Sequence, residues 1–149
     1  MHSAVTIITL GVKDVARASQ FYQLLGWRRS SGASNDSISF FVLNNIVLAV
    51  FGEDALAADS GVSLAPDQHL HSPTPVPRIV LAQNYPSERA VQRALAEAIA
   101  AGGNELVAPQ KTPWGGYHGV FADPDGHVWE LAYNPFFPLA ADGTVELPE

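Results

Sequence analysis

Two periodicities take turns along the chain. Residues 5–12 (VTIITLGV) are rich in β-branched side chains, which suit a pleated strand. Asp14 follows, and its short carboxylate can accept from the free N–H groups of a helical first turn. Behind it Ala18, Phe21, Tyr22 and Leu25 fall at i, i+3, i+4 and i+7, which is one apolar helix face, and Gly26 supplies a stop. A turn-rich connection at 32–36 leads to segments 38–43 and 46–51. These read as a hairpin around Asn44-Asn45, a residue type that tolerates positive φ. Residues 52–77 then break the pattern: one short helical turn near 54–59, followed by a polar, proline-rich stretch.

The same order then returns. Residues 78–82 (RIVLA) predict a short strand, and Ser87 a helix cap with Glu88 well placed for the dipole. Val91, Ala94, Leu95, Ala98 and Ile99 form the helix stripe, and Gly102-Gly103 ends it. A strand at 105–107 and a hairpin of 117–122 with 127–133 complete the half. The hairpin turns on Asp123-Pro124-Asp125-Gly126, where Pro124 presets φ and Gly126 accepts a positive value. Each half is thus a strand, a helix and about three strands. Superposed, Ile7 falls opposite Arg78 and Ala49 opposite Glu130. One half alone leaves a sheet face uncovered, so two halves burying a shared surface is the economical arrangement. The chain is expected to be a single domain over 1–149: one module over about 4–51, a connector over about 52–77, a second module over about 78–134 and a tail at 135–149.

Composition narrows the function. An apolar fraction of 47% in 149 residues supports a real core, and no apolar run is long enough to span a membrane. The net charge of −7 comes with scattered basic residues, which argues against a nucleic-acid partner. With no cysteine, disulfides, thiol nucleophiles and Cys-type zinc sites are excluded, so any metal must use His, Asp or Glu. The start, Met1-His2-Ser3-Ala4-Val5, lacks the pattern of a signal peptide, and a cytoplasmic location is expected.

Two stretches carry a family resemblance. LGVKDVARASQFYQLLGW near the start, with Asp14, Phe21-Tyr22 and Leu25-Gly26, and FADPDGHVWEL near the end, with Asp123-Pro124-Asp125-Gly126 and Glu130, resemble the two signatures of the vicinal oxygen chelate superfamily. That group includes glyoxalase I, bleomycin-resistance proteins and extradiol dioxygenases. The resemblance spans roughly residues 4 to 134. It implies an α+β fold: paired βαβββ modules forming a cup-shaped mixed sheet around a small ligand, with helices outside. It further implies metal-ligand positions on the first and last strand of each module, which here are Ile7, about Ala49, Arg78 and Glu130. Only Glu130 can bind a metal. A divalent cation needs about three protein ligands or more, so no metal or other cofactor is expected.

The candidate site residues follow from this. If Glu130 faces the cup, Val128 and Ala132 do too, while Trp129, Leu131 and Tyr133 pack under the helices. A carboxylate there needs a partner, and Arg78 is the expected one. Trp114-Gly115-Gly116-Tyr117-His118 places aromatics around a bend, so Trp114, Tyr117 and His118 are candidates to stack on or hydrogen-bond a flat ligand. His118 is the candidate for proton chemistry, although no carboxylate neighbours it in sequence. Phe40 and Phe41 alternate, one toward the cup and one toward the helices, and Phe41 is counted among the ligand-binding candidates. His69 and His71 share a face of an extended loop but have no third ligand nearby, and Trp27 reads as core. The expected function is metal-independent binding of a small molecule, resembling bleomycin-resistance sequestration, in a homodimer without membrane or nucleic-acid partners. The alternative is a glyoxalase-like lyase, isomerase or dioxygenase with a rearranged site around Glu130, His118 and Tyr117.

Overall fold

A computed structural model describes residues 4–61, 79–145 and 147. Strand β1 (Ile7–Val12) runs into helix α1 (Val15–Leu24), whose N-cap Asp14 accepts from the Arg17 N–H. Gly26, at φ 83°, turns the chain out of the helix. Strands β2 (Arg28–Arg29), β3 (Ile38–Val42) and β4 (Val47–Gly52) complete the first module. Helix α2 (Glu53–Ser60) replaces the single turn expected there, and its Leu56 rests on Gly11, where no side chain intervenes. The second module holds β5 (Leu81–Asn84), α3 (Glu88–Ala100), β6 (Asn104–Lys111), β7 (Tyr117–Ala122) and β8 (Val128–Tyr133). Ser87 caps α3 by accepting from the Ala90 N–H.

The two modules repeat each other in topology. The sheet orders are β1-β4-β3-β2 and β5-β8-β7-β6, each with one parallel and two antiparallel pairings. The fold is therefore α+β, built from two βαβββ modules. Strand β2 pairs through only two residues, too few to carry a periodic pattern in the sequence.

The strands form two four-stranded sheets, one from each module. The surface they share is the helix-covered one. Tyr22 of α1 packs on Phe41 of β3 and also on Trp129 of β8, with ring centroids 5.6 and 6.1 Å apart. Trp27 lies on Trp129 at 5.4 Å, and Phe21 faces Phe121 at 6.3 Å. Aromatic side chains bury the largest apolar areas, so this seam draws both modules into one core. In α3, Val91, Leu95 and Ala98 are buried as predicted, whereas Ile99 is exposed. The Asn44-Asn45 turn closes without positive φ, since no non-glycine residue among those described adopts it. The Asn44 amide instead donates to the Asp142 carbonyl of the C-terminal segment.

Candidate functional site

Alternation along β7 and β8 separates two sets of side chains. Tyr117, Phe121, Trp129 and Leu131 are buried toward the helices. His118, Val120, Val128 and Glu130 point to the opposite face. The ladder pairs His118 with Ala132 and Val120 with Glu130, so His118 and Glu130 are diagonal neighbours across the hairpin. Their side chains meet, with His118 Nδ1 2.7 Å from Glu130 Oε1 and exposures of 24% and 31%. An ionised carboxylate only accepts, so Nδ1 carries the hydrogen of this bond. Nε2 is then free to accept from a ligand while the imidazole is neutral. Protonation turns the contact into an ion pair. Register adds Gln110 beside His118, Ala82 beside Glu130 and Asn84 beside Ala132 to the same face.

The other candidates separate. Arg78, His69 and His71 lie outside the described residues. In the ladders, Thr9 partners Ala49 and Ala82 partners Glu130, so Ile7 corresponds to Val80, two residues along from the expected Arg78. Phe41 does not line the open face: it is fully buried against Tyr22, because β3 sends odd-numbered positions to the helix side, and Phe40 takes the other face. Tyr117 also packs inward, its hydroxyl accepting from Gln92 Nε2 and donating to the Pro109 carbonyl. Trp114 stays 44% exposed at the β6–β7 turn, its ring against Gly116. Of the proposed set, the structure brings together His118 and Glu130.

Metal ligation asks for more than these two. No group of three or more His, Asp or Glu side chains able to hold a metal occurs among the described residues. Ile7 and Ala49 offer no donor atom. Among the described residues, His118 and Glu130 supply two donors on this face, fewer than the three or more protein ligands a divalent cation takes.

A second polar network lies at the module seam. Asp123 Oδ2 accepts from the Tyr22 hydroxyl at 2.6 Å, and His127 Nδ1 lies 2.9 Å from the same oxygen. Asp123 Oδ1 accepts from the Asp125 and His127 N–H groups, closing the DPDG turn, where Gly126 sits at φ 95°. Asp125 in turn accepts from Arg17 and from the Lys13 N–H. Burial works to raise the Asp123 pKa, but hydrogen bonds from His127 and Tyr22 outweigh it and hold the carboxyl below its ordinary value. The hydrogen bond to Asp123 raises His127 above its ordinary value against the opposing effect of burial. Burial, then the Asp123 charge, keeps the Tyr22 phenol protonated. This network is structural: it joins α1 of one module to the β7–β8 turn of the other.

Comparisons with known proteins bear on the whole chain. The profile of the Glyoxalase/Bleomycin resistance protein/Dioxygenase superfamily matches residues 4–131. A glyoxalase-related enzyme from Fulvimarina pelagi is 35% identical, with a TM-score of 0.84, covering 99% of this chain and 100% of that one. Lactoylglutathione lyase from Agrobacterium tumefaciens is 18% identical, with a TM-score of 0.62 and coverages of 89% and 95%. TioX from Micromonospora sp. ML1 is 16% identical, with a TM-score of 0.58 and coverages of 88% and 98%. The last two show likeness of fold alone. No curated protein matches the sequence significantly.

Proposed function

Because this chain belongs to the glyoxalase/bleomycin resistance protein/dioxygenase superfamily, we propose that it binds a small molecule, without a metal, on the sheet face carrying His118 and Glu130. The observation that carries the reading is the 2.7 Å contact between these two side chains. It fixes the imidazole and presents one acceptor nitrogen beside a negative charge. Val120 and Val128 supply apolar contact on the same face, and Gln110 and Asn84 add polar ends. The Glu130 charge and the net charge of −7 favour a donor-rich or cationic ligand, held as in bleomycin-resistance sequestration.

The same pair supports a second reading. With Glu130 stabilising the imidazolium, Nε2 can take a proton from a bound substrate, as a glyoxalase-like lyase, isomerase or dioxygenase with a rearranged site would require. The likeness to a glyoxalase-related enzyme at 35% identity favours keeping it. A homodimer and a cytoplasmic location belong to the proposal. Ile7 and Val42 are 50% and 43% exposed on the open face of the first sheet, an apolar surface suited to a second copy completing the pocket.

Metal analysis of the purified protein tests the central claim, together with ligand binding before and after chelation. Well under one metal per chain, and affinity unchanged by chelator, are expected. Stoichiometric retained metal overturns the reading. Glu130→Gln is expected to weaken binding by about tenfold, a loss of ~1.4 kcal/mol. A variant that loses turnover while keeping affinity favours the enzyme.

A further inference from the structure

A separate pocket lies on the helix side of the first sheet. Arg29 is the register partner of Phe41, so its side chain emerges on the face that α1 covers, at the β2 edge. There a cavity of about 450 Å³ opens between α1, β2, β3 and the loop before β3. Ser19, Gln23, Arg29, Asn35, Asp36 and Ser39 supply its polar lining.

Ser39 Oγ accepts from Arg29 Nε at 2.9 Å, and the Ser19 and Ser39 oxygens are 2.8 Å apart. Both serines are buried. Only one hydroxyl hydrogen can lie between their oxygens. The other meets no acceptor among the described residues, and neither do the Arg29 Nη hydrogens. No carboxylate pairs with Arg29 among the described residues, although Asp36 lines the same cavity. The Asn35 carbonyl oxygen is occupied by the Ser37 and Ile38 N–H groups, which leaves its NH₂ as the free end. Donors therefore exceed acceptors in a half-buried space holding an unpaired guanidinium.

We propose that this pocket binds the carboxylate of a small organic anion, with the two Arg29 Nη groups as its fork. Guanidinium and carboxylate match as parallel, charge-assisted hydrogen bonds. The serine hydroxyl and the side-chain amides add further donors. Asp36 at the lining disfavours a dianion, so a carboxylate is selected over a phosphate monoester. The site lies on the opposite side of the sheets from His118 and Glu130 and in the other module, so it stands independently of the function proposed above.

Titration of isotope-labelled protein with benzoate, phenyl phosphate and benzylamine, followed by amide NMR, tests it. Benzoate is expected to give saturable shifts at residues 19, 29 and 35–39 and none at 118 or 130. Phenyl phosphate is expected to bind more weakly, and benzylamine not at all at this site. Arg29→Gln is expected to weaken benzoate by about tenfold or more, and Asp36→Asn to strengthen it. No saturable shift in this cavity overturns the proposal. So do shifts confined to residues 118 and 130, or affinity within about twofold in a folded Arg29→Gln variant. If Arg29→Gln does not fold, Asp36→Asn decides: an unchanged or weakened affinity overturns it.

Discussion

Phe40 and Phe41 are adjacent and chemically identical, yet β3 sends them to opposite faces. Phe41 has no exposure and packs on Tyr22, so truncating it removes core contacts and leaves a cavity. Phe41→Ala is expected to cost about 3–5 kcal/mol in urea unfolding, and Phe40→Ala distinctly less. Equal losses would show that the two faces are misassigned. His118 and Glu130 illustrate the same point in polar form. Both residues were legible as candidates, but their contact was not, because they are twelve residues apart in sequence. The signal that could have joined them is the DPDG turn. It fixes the hairpin register, and that register puts both even-numbered positions on one face as diagonal neighbours. Arg78, the partner that the sequence suggests for Glu130, lies outside the described residues.

Elements follow local chemistry closely where periodicity is long. The α1 and α3 stripes and the Asp14 and Ser87 caps were readable because a helix needs only near neighbours to declare itself. Strand β2 and the length of α2 were not, since two residues carry no period and α2 buries none of its own residues. The β6–β7 turn is held by its fold partners. Thr112 accepts from the Gly116 N–H through its hydroxyl, and the Trp114 ring covers Gly116 so closely that an added Cβ would lie 1.7 Å from a ring carbon. The Tyr133 carbonyl, 2.6 Å from the same position, blocks the other escape. Gly116→Ala is therefore expected to displace Trp114, seen as altered tryptophan fluorescence and a lowered melting temperature. An unchanged spectrum would count against this packing.

For the whole molecule, the seam between modules combines aromatic burial with the Tyr22–Asp123–His127 network. Tyr22→Phe removes a hydrogen bond to a charged acceptor and is expected to cost about 1.5–3 kcal/mol. The pair also makes stability depend on pH. The His127 pKa is raised in the folded state, so its contribution is complete below the ordinary value of 6.5 and is lost as pH rises through the raised one. The Asp123 pKa is lowered, so its contribution is complete above the ordinary value of 3.8 and is lost as pH falls through the depressed one. Melting temperature is expected to fall on both sides of that window, and His127→Gln to flatten the alkaline side. An alkaline decline of the same size in the variant would assign it to other groups.

The amino-acid order by itself determined the two βαβββ repeats, the caps, the DPDG turn and the absence of thiol chemistry, because each depends on neighbours within a few residues or on composition alone. It also placed His118 and Glu130 among the residues worth watching. Only tertiary structure decided that the shared core lies on the helix side, that Phe41 and Tyr117 belong to that core, and that Glu130 meets His118. The Arg29 pocket was likewise invisible in one dimension, since its lining comes from a helix, two strands and a loop. These outcomes turn on register and on which aromatic rings fill the seam, and both are set by contacts between segments far apart in the chain.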